Sequence, residues 1–203
     1  MTEYEKQKML LEDREKPLEI AFLNPTVEKA FKEFSKLNKE PYAVCGGIAV
    51  SVYLQARSTQ DVDVIITGNI DKIAQEIKDK FKKITSFSFE HKQTGVEIEA
   101  LSGKVINLPQ SLIDAAIDNA IEHSFDGNTV KVISPKYLVA IKLGRAIKDI
   151  PKKSAQDISD IEGITLHYGS FDLSEMNLPK LEIDFYKVLC DRVMRYKETN
   201  NIL

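Results

Sequence analysis

Two aspartates, Asp61 and Asp63, interrupt an otherwise apolar stretch in which they alternate with valines and lead into two isoleucines. Residues i and i+2 of a β-strand face the same side, so the two carboxylates would stand side by side while the valines pack behind them. Neighbouring carboxylates repel each other, which raises a pKa or requires a cation between them. Because hard divalent cations such as Mg²⁺ prefer oxygen ligands, the pair is a candidate metal site.

A glycine pair, Gly46-Gly47, lies upstream of the aspartates. It follows residues 42–45, which we predict to form a short buried strand, and it precedes residues 48–55, which have helical character. A glycine turn from a strand into a helix presents bare backbone N–H groups at the helix N-terminus, where phosphate binding is favoured. The segment is therefore a candidate phosphate site.

A second acidic alternation occurs at Glu97 and Glu99, which are flanked by apolar residues. On a strand next to the aspartates, one of these glutamates would complete a two-metal site. Such a site binds a triphosphate, lowers the pKa of an attacking hydroxyl and stabilises the leaving pyrophosphate. The polar face of an antiparallel strand explains the two glutamates equally well.

The elements that must position these residues alternate between helix and strand in the first half of the chain. There we expect helices over residues 25–38 and 71–81, and strands over residues 61–67, 84–90, 96–101 and 105–108. The second half is mostly helical, with a hairpin over residues 125–133 and helices over residues 110–122, 135–148, 154–168 and 179–198. The last helix is either packed core or a dimer face, so the oligomeric state stays open.

These elements predict an α/β (α+β) fold, in which a mixed sheet flanked by helices is followed by a mostly helical C-terminal half. We place an α/β core with an N-terminal helical arm over residues 1–108, and the helical region over residues 109–203. Both bounds follow from the change in pattern after Pro109.

Composition excludes several classes of protein. The 203 residues include 28 Lys+Arg and 31 Asp+Glu, and this balance argues against a protein that binds nucleic acid through overall charge. No apolar run approaches the roughly 20 residues of a membrane-spanning helix, and the charged N-terminus is unlike a signal peptide. With only two cysteines, Cys45 and Cys190, the chain is expected to be cytoplasmic.

One basic interval departs from this balance. Residues 131–153 contain seven basic side chains against the single acid Asp149: Lys131, Lys136, Lys142, Arg145, Lys148, Lys152 and Lys153. We expect the interval to face the same cleft as the acidic residues and to bind phosphates or an RNA backbone. A solvated helix face is the alternative explanation.

Five short motifs follow one another between residues 40 and 165. In chain order they are Gly46-Gly47, Arg57-x-Thr59-x-Asp61-x-Asp63, a hydrophobic–acid–hydrophobic strand, Ser134-Pro135-x-x-Leu138-x-x-x-Lys142-Leu143, and Gln156-Asp157-x-x-Asp160-Ile161. This set resembles the nucleotidyltransferase superfamily of the DNA polymerase beta type, and its minimal and AbiEii-like bacterial and archaeal branches most closely. The resemblance implies a nucleotidyltransferase-type sheet.

The resemblance also implies roles for the acidic residues. Asp61 and Asp63 would be catalytic and would bind Mg²⁺ or Mn²⁺. Glu99 is expected to be the third catalytic and metal-binding acid, because Thr94-Gly95-x-x-x-acid-x-Leu matches the usual run of the family. Glu97 is the alternative third acid.

Nucleotide binding is implied for a second group of residues. Gly46 and Gly47 would hold the triphosphate of an NTP, which could be ATP, and Lys142 would approach it from the helical half. Arg57 is grouped with these binding residues, although anchoring of its loop would serve equally. Asp157 falls in the fourth motif of the family, but it could instead close a helix capping box with the serine three residues before it.

The implied function is metal-dependent transfer of a nucleoside monophosphate from an NTP to a hydroxyl acceptor on RNA, a protein or a small molecule, with a toxin–antitoxin role and a cognate antitoxin as a candidate partner. The sequence departs from the family pattern in three ways. AbiEii-type toxins usually carry a lysine and a hydroxyl residue where this chain has Cys45 and Ile48, and many relatives carry serine at the position of Gly47. The third acid is a glutamate instead of the commoner aspartate. The alternative is a catalytically inactive nucleotide-binding or protein-interaction module that retains the fold.

Overall fold

The computed structural model describes residues 18–54, 58–147 and 151–200. Within these ranges the chain forms a seven-stranded sheet. Its strands are β1 (Tyr42–Val44), β2 (Asp61–Ile66), β3 (Phe81–Lys83), β4 (Ser88–His91), β5 (Glu97–Leu101), β6 (Ile121–Phe125) and β7 (Asn128–Val132).

The sheet is mixed, with the strand order β3-β4-β5-β2-β1-β7-β6. The central strand β2 pairs in parallel with β5 and antiparallel with β1, and β1 pairs in parallel with β7. The register between β2 and β5 places Asp61 opposite Glu97 and Asp63 opposite Glu99. Both acidic alternations therefore lie on neighbouring strands near the centre of the sheet.

Helices flank the sheet and dominate the C-terminal half. They are α1 (Leu18–Ala21), α2 (Pro25–Leu37), α3 (Gly46–Tyr53), α4 (Ile70–Ile77), α5 (Gly103–Ile106), α6 (Gln110–Asp118), α7 (Pro135–Ala146), α8 (Pro151–Tyr168) and α9 (Lys180–Thr199), with a short 3-10 helix at Ser174–Met176. Helix α8 packs against both α7 and α9, and α3 packs against β2 and α7. This architecture confirms the predicted α/β class.

Local sequence explains where α2 begins. Asn24 accepts a hydrogen bond from the Thr26 N–H at 3.0 Å, and Pro25 occupies the first turn, where its missing N–H costs nothing. The helix buries its apolar face, which includes Phe31 and Phe34, and exposes its charged face.

Several predicted elements differ in the structure. The helix predicted over 110–122 ends at Asp118, and the hairpin predicted over 125–133 already begins with β6 at Ile121. The strand predicted over 84–90 is β4, which runs from Ser88 to His91. Residues 105–108 were predicted as a strand, but the chain forms α5 there and Asn107 ends that helix in the left-handed conformation, with φ 54°. The helix predicted over 71–81 ends at Ile77, so that Phe81 begins β3. Helix α8 begins at Pro151 rather than at residue 154.

The sheet extends past the predicted boundary at residue 108, because β6 and β7 join it through β1. The division into two domains stays a prediction. A search of the described residues found no helix long and apolar enough to cross a membrane.

Phe31 is the centre of an aromatic cluster that holds α2 to the sheet. Its ring is fully buried, and its centroid lies 5.3 Å from those of Phe22 and Phe125. We predict that Phe31→Ala lowers the free energy of unfolding by about 3–5 kcal/mol, because it removes buried area and leaves a cavity. Leu23→Ala is the control, since Leu23 is 53% exposed, and it should change that free energy by less than about 0.5 kcal/mol. Equal losses in urea titrations of the two variants would contradict the packing described here.

Candidate active site

A cleft of about 320 Å³ lies at the N-terminal end of the central strand β2. The N-terminus of α3 and the helices α7 and α8 form its other walls. Seven residues were predicted to bind substrate or metal, and six of them line this cleft: Gly46, Gly47, Asp61, Asp63, Glu99 and Lys142. The seventh, Arg57, lies outside the described residues. The structure thus brings together residues that are up to 96 positions apart in the chain, as the interval from 46 to 142 gives.

The acidic residues come together through the pairing of β2 with β5. Asp63 and Glu99 are opposite each other in the parallel register, and their carboxyl groups lie close enough to interact. Glu97 is opposite Asp61 but is not among the residues that line the cleft. Of the two candidate third acids, Glu99 is the one that shares the cleft with the aspartates.

Asp63 lies in an environment that disfavours its charge. Burial raises the pKa of its carboxyl group, and the negative charge of Asp61 raises it further. The cations Arg145 and Lys142 and the interaction with Glu99 oppose these effects, yet the pKa of Asp63 stays above its ordinary value.

The glycine turn packs directly against this carboxylate. A Cβ built on Gly46 would overlap the Asp63 carboxylate, and Gly46 has φ +58°, a conformation that other residues rarely adopt. The Cys45 N–H donates a hydrogen bond to the Asp63 backbone oxygen at 2.9 Å, which fastens the start of α3 to β2. The first N–H groups of a helix have no partner within the helix, so this turn brings hydrogen-bond donors beside the aspartates.

Thr59 fixes the other aspartate. Its hydroxyl Oγ1 lies 2.8 Å from the Asp61 Oδ1 atom and 3.1 Å from the Asp61 backbone oxygen. The hydroxyl therefore orients the Asp61 side chain at the entry of β2. This geometry makes Thr59 an anchor at the entry of the strand, whereas the role of Arg57 stays a prediction.

Lys142 is held by two carboxylates of α8. Its Nζ atom lies 2.7 Å from Asp157 Oδ1 and 2.8 Å from Asp160 Oδ2, and all three residues are buried. Arg145 places its Nε atom 3.1 Å from Asp157 Oδ2. Since α8 begins at Pro151, the proposed capping box is wrong: Asp157 lies inside the helix and pairs with two cations of α7.

The basic interval does not face the cleft as a whole, contrary to the expectation that it would face the same cleft as the acidic residues. Lys131 lies on β7 with its Nζ atom 3.5 Å from the Ile117 carbonyl oxygen, and Lys136 borders a separate surface depression next to Tyr137. Among the interval's basic side chains that the structure describes, Lys142 and Arg145 line the cleft. A helix exposes its residues on all sides, so an interval of like charges divides between faces.

Sequence reasoning did not single out Arg145, which it treated only as part of the basic interval. The available signal was its position three residues after Lys142, which places both side chains on one face of α7. Ser58 and Gln156 also line the cleft. Gln156 opens one of the five motifs but was given no role of its own, and Ser58 is an unspecified position of the Arg57-x-Thr59 motif.

A divalent cation fits the chemistry of the cleft, because Asp61 and Asp63 offer hard oxygen donors side by side. Within the described residues, however, no three Asp, Glu, His or Cys side chains form a ready-made metal site. The fit therefore rests on the aspartate pair, and a metal-binding role for Glu99 stays a prediction.

Gly46 and Gly95 provide a matched pair of glycine substitutions. Both have positive φ, at +58° and +71°, but a Cβ on Gly95 would meet no atom within 4 Å. We predict that Gly95→Ala costs about 1–2 kcal/mol from backbone strain. Gly46→Ala should cost about 1–3 kcal/mol more, because the new methyl group displaces Asp63. Chemical unfolding of both variants measures the difference, and equal costs would show that the contact with Asp63 is not tight.

The raised pKa of Asp63 predicts how stability depends on pH. A carboxyl group whose pKa is raised by folding stabilises the protein at low pH, and this contribution is lost as the pH rises through the raised pKa. Asp63→Asn should therefore raise the unfolding temperature at pH 8 relative to the wild type, and the gain should shrink towards pH 4.

Asp126 provides the control with the opposite sign, because its hydrogen bond with Lys36 lowers its pKa. Asp126→Asn should lower the unfolding temperature at pH 8, and the loss should shrink as the pH falls. The interpretation of Asp63 fails if its variant follows the same trend as Asp126→Asn.

Comparison with known proteins places the fold. No protein-family model and no curated protein matches the chain. Among solved structures, it is similar to the crystal structure of an antigenic nucleotidyltransferase-like protein from Paracoccidioides brasiliensis, with a TM-score of 0.54 and 18% sequence identity over 86% of this chain and 88% of that chain. The structure thus confirms a nucleotidyltransferase-like fold, and closeness to the AbiEii-like branch stays a prediction.

Proposed function

We propose that the protein is a metal-dependent nucleotidyltransferase, which transfers a nucleoside monophosphate from an NTP to a hydroxyl acceptor. One observation carries this proposal: the glycine turn at the N-terminus of α3 packs directly against the carboxylate of Asp63. A helix N-terminus attracts anions, whereas a carboxylate repels them. A polyphosphate that arrives with a divalent cation satisfies both groups.

The charge of the cleft supports the same ligand. Four carboxylates (Asp61, Asp63, Glu99 and Asp157) and two cations (Lys142 and Arg145) are among the described residues that line it. These four acids outnumber the two bases. A triphosphate alone would meet net repulsion there, so its binding requires added positive charge.

The residues of the chain divide the work of the reaction. The N–H groups of Gly46 and Gly47 bind and orient the phosphates, and Thr59 keeps Asp61 directed into the cleft. Glu99 receives the proton of the acceptor hydroxyl, which makes that oxygen a better nucleophile. The chemistry that a bound Mg²⁺ or Mn²⁺ supplies is neutralisation of the triphosphate, and Asp61 and Asp63 would hold that ion.

The dimensions of the cleft suit a nucleotide, because ligand sites of this kind enclose roughly 300–1,000 Å³. The acceptor hydroxyl must reach it from outside. We propose an acceptor on RNA, on a protein or on a small molecule. A transfer assay separates these classes by the size of the labelled product.

The test incubates the protein with each NTP labelled at the α-phosphate, Mg²⁺ or Mn²⁺, and total RNA or cell lysate. We predict label on an acceptor with the wild type, and a decrease in transfer of at least about a hundredfold for Asp61→Asn and Asp63→Asn. Glu99→Gln should reduce transfer in the same way while nucleotide binding persists.

Glu97→Gln is the matched control, because it removes the same charge from the same strand outside the cleft. It should transfer at the wild-type rate. Metal-dependent NTP binding without any transfer would contradict the enzymatic proposal and favour the inactive nucleotide-binding module. If Asp61→Asn and Asp63→Asn bind NTP as well as the wild type does, the assignment of the site is wrong.

A further inference from the structure

We propose that Arg145 is the side chain of α7 that contacts the polyphosphate, and that Lys142 is a positioning residue that acts through Arg145. This inference rests on the proposed function and concerns the division of roles between two cations that line the same cleft. It replaces the direct phosphate contact that the sequence resemblance implied for Lys142.

Lys142 is poorly placed to bind an additional anion. Its side chain is 5% exposed, and its Nζ atom already lies within 2.8 Å of carboxylate oxygens of both Asp157 and Asp160. An ammonium group has three N–H donors, so these two contacts engage most of its capacity. Its single positive charge is also outnumbered by two negative ones, so a phosphate that approached it would meet repulsion from Asp157 and Asp160.

Arg145 has the exposure and the donor geometry that Lys142 lacks. Its side chain is 36% exposed, it lines the cleft, and it lies on the same face of α7, three residues after Lys142. The guanidinium group has five N–H donors in a planar fork that matches a phosphate, and Nε is the atom that faces Asp157. Arg145 can therefore stay paired with α8 and still present donors to a ligand.

Asp157 connects the two cations. Its Oδ1 atom lies 2.7 Å from Lys142 Nζ, and its Oδ2 atom lies 3.1 Å from Arg145 Nε. Asp157 is 2% exposed and sits on α8, so Lys142 fixes a carboxylate that in turn orients the guanidinium. Without Lys142, Asp157 would be left to Arg145 alone and would draw the guanidinium towards α8.

The test uses inorganic tripolyphosphate with Mg²⁺ as the probe and measures its affinity by calorimetry. We expect Arg145→Gln to weaken binding by about tenfold to a hundredfold, the value of one charge-assisted hydrogen bond or slightly more. Lys136→Gln removes the same charge from α7 at a surface away from the cleft, and should stay within about twofold of the wild type.

A double-mutant cycle then separates positioning from direct contact. If Lys142 acts through Arg145, Lys142→Met weakens tripolyphosphate binding in the wild-type background and causes no further loss in Arg145→Gln. The same factor in both backgrounds would overturn the inference, as would an Arg145→Gln variant within about twofold of the wild type.

Lys142→Met leaves two buried carboxylates without their shared partner, and the variant could fail to fold. The cycle is then run with Lys142→Met combined with Asp160→Asn, which keeps the pair of Asp157 with Arg145. A wild type that binds neither tripolyphosphate nor NTP would overturn the proposed function and this inference together. Wild-type binding with no effect of Arg145→Gln would overturn the inference alone.

Discussion

The arrangement of the cleft depends on the contact between the backbone of Gly46 and the carboxylate of Asp63. The backbone turns from β1 into α3 at Gly46 and comes within van der Waals distance of the Asp63 carboxylate. Only a residue without a Cβ fits there, and glycine also tolerates the φ of +58°. The hydrogen bond from Cys45 to Asp63 then fixes the register between β1 and β2 at this point. The N–H donors at the helix N-terminus, which favour anions, are therefore fixed beside carboxylates, which favour cations. A ligand that satisfies both must carry charges of both signs.

The charges around this contact are distributed so unevenly that the net charge of the chain does not indicate the charge of the cleft. The formal net charge of −3 is taken over the whole chain, so it conceals both the acidic residues of β2 and β5 and the ion pairs between α7 and α8. Between these two helices, Lys142 and Arg145 are matched by Asp157 and Asp160, so the buried charges largely cancel. Partial cancellation is what a site for an anionic substrate with a cation requires, because a fully acidic cleft would repel the phosphates and a fully basic cleft would displace the metal.

Much of the site could be predicted from sequence because its parts are local patterns. The alternation of Asp61 and Asp63 with valines predicts a strand with both carboxylates on one face, and β2 has that form. The alternation of Glu97 and Glu99 left both open, and only the run after Thr94-Gly95 in the family resemblance favoured Glu99. That Glu99 and not Glu97 lines the cleft depends on the parallel register of β5 against β2 and on where the cleft opens. Local sequence patterns could not predict the ion-pair partners of Lys142 either. Asp157 and Asp160 come from the packing of α8 on α7, and local reasoning assigned Asp157 to a capping box instead.

The second half of the chain contributes to the cleft because hydrogen bonds join it to the first half just before α7. The Ile133 N–H donates to the Val44 carbonyl oxygen at 3.0 Å, and the Tyr53 hydroxyl donates to the Ile133 carbonyl oxygen at 2.9 Å. Val44 ends β1 just before the glycine turn, and Tyr53 ends α3, so both bonds connect the segment that leads into α7 to the elements that flank the glycine turn. Helix α7 begins next to this hydrogen-bonded segment and rises about 1.5 Å per residue. Lys142 and Arg145 therefore lie at fixed heights along the face of α7 that borders the cleft. The distance between the cations and the glycine turn is thus set by β1 and α3, and a change in either element would alter the electrostatics of the site without touching a charged residue.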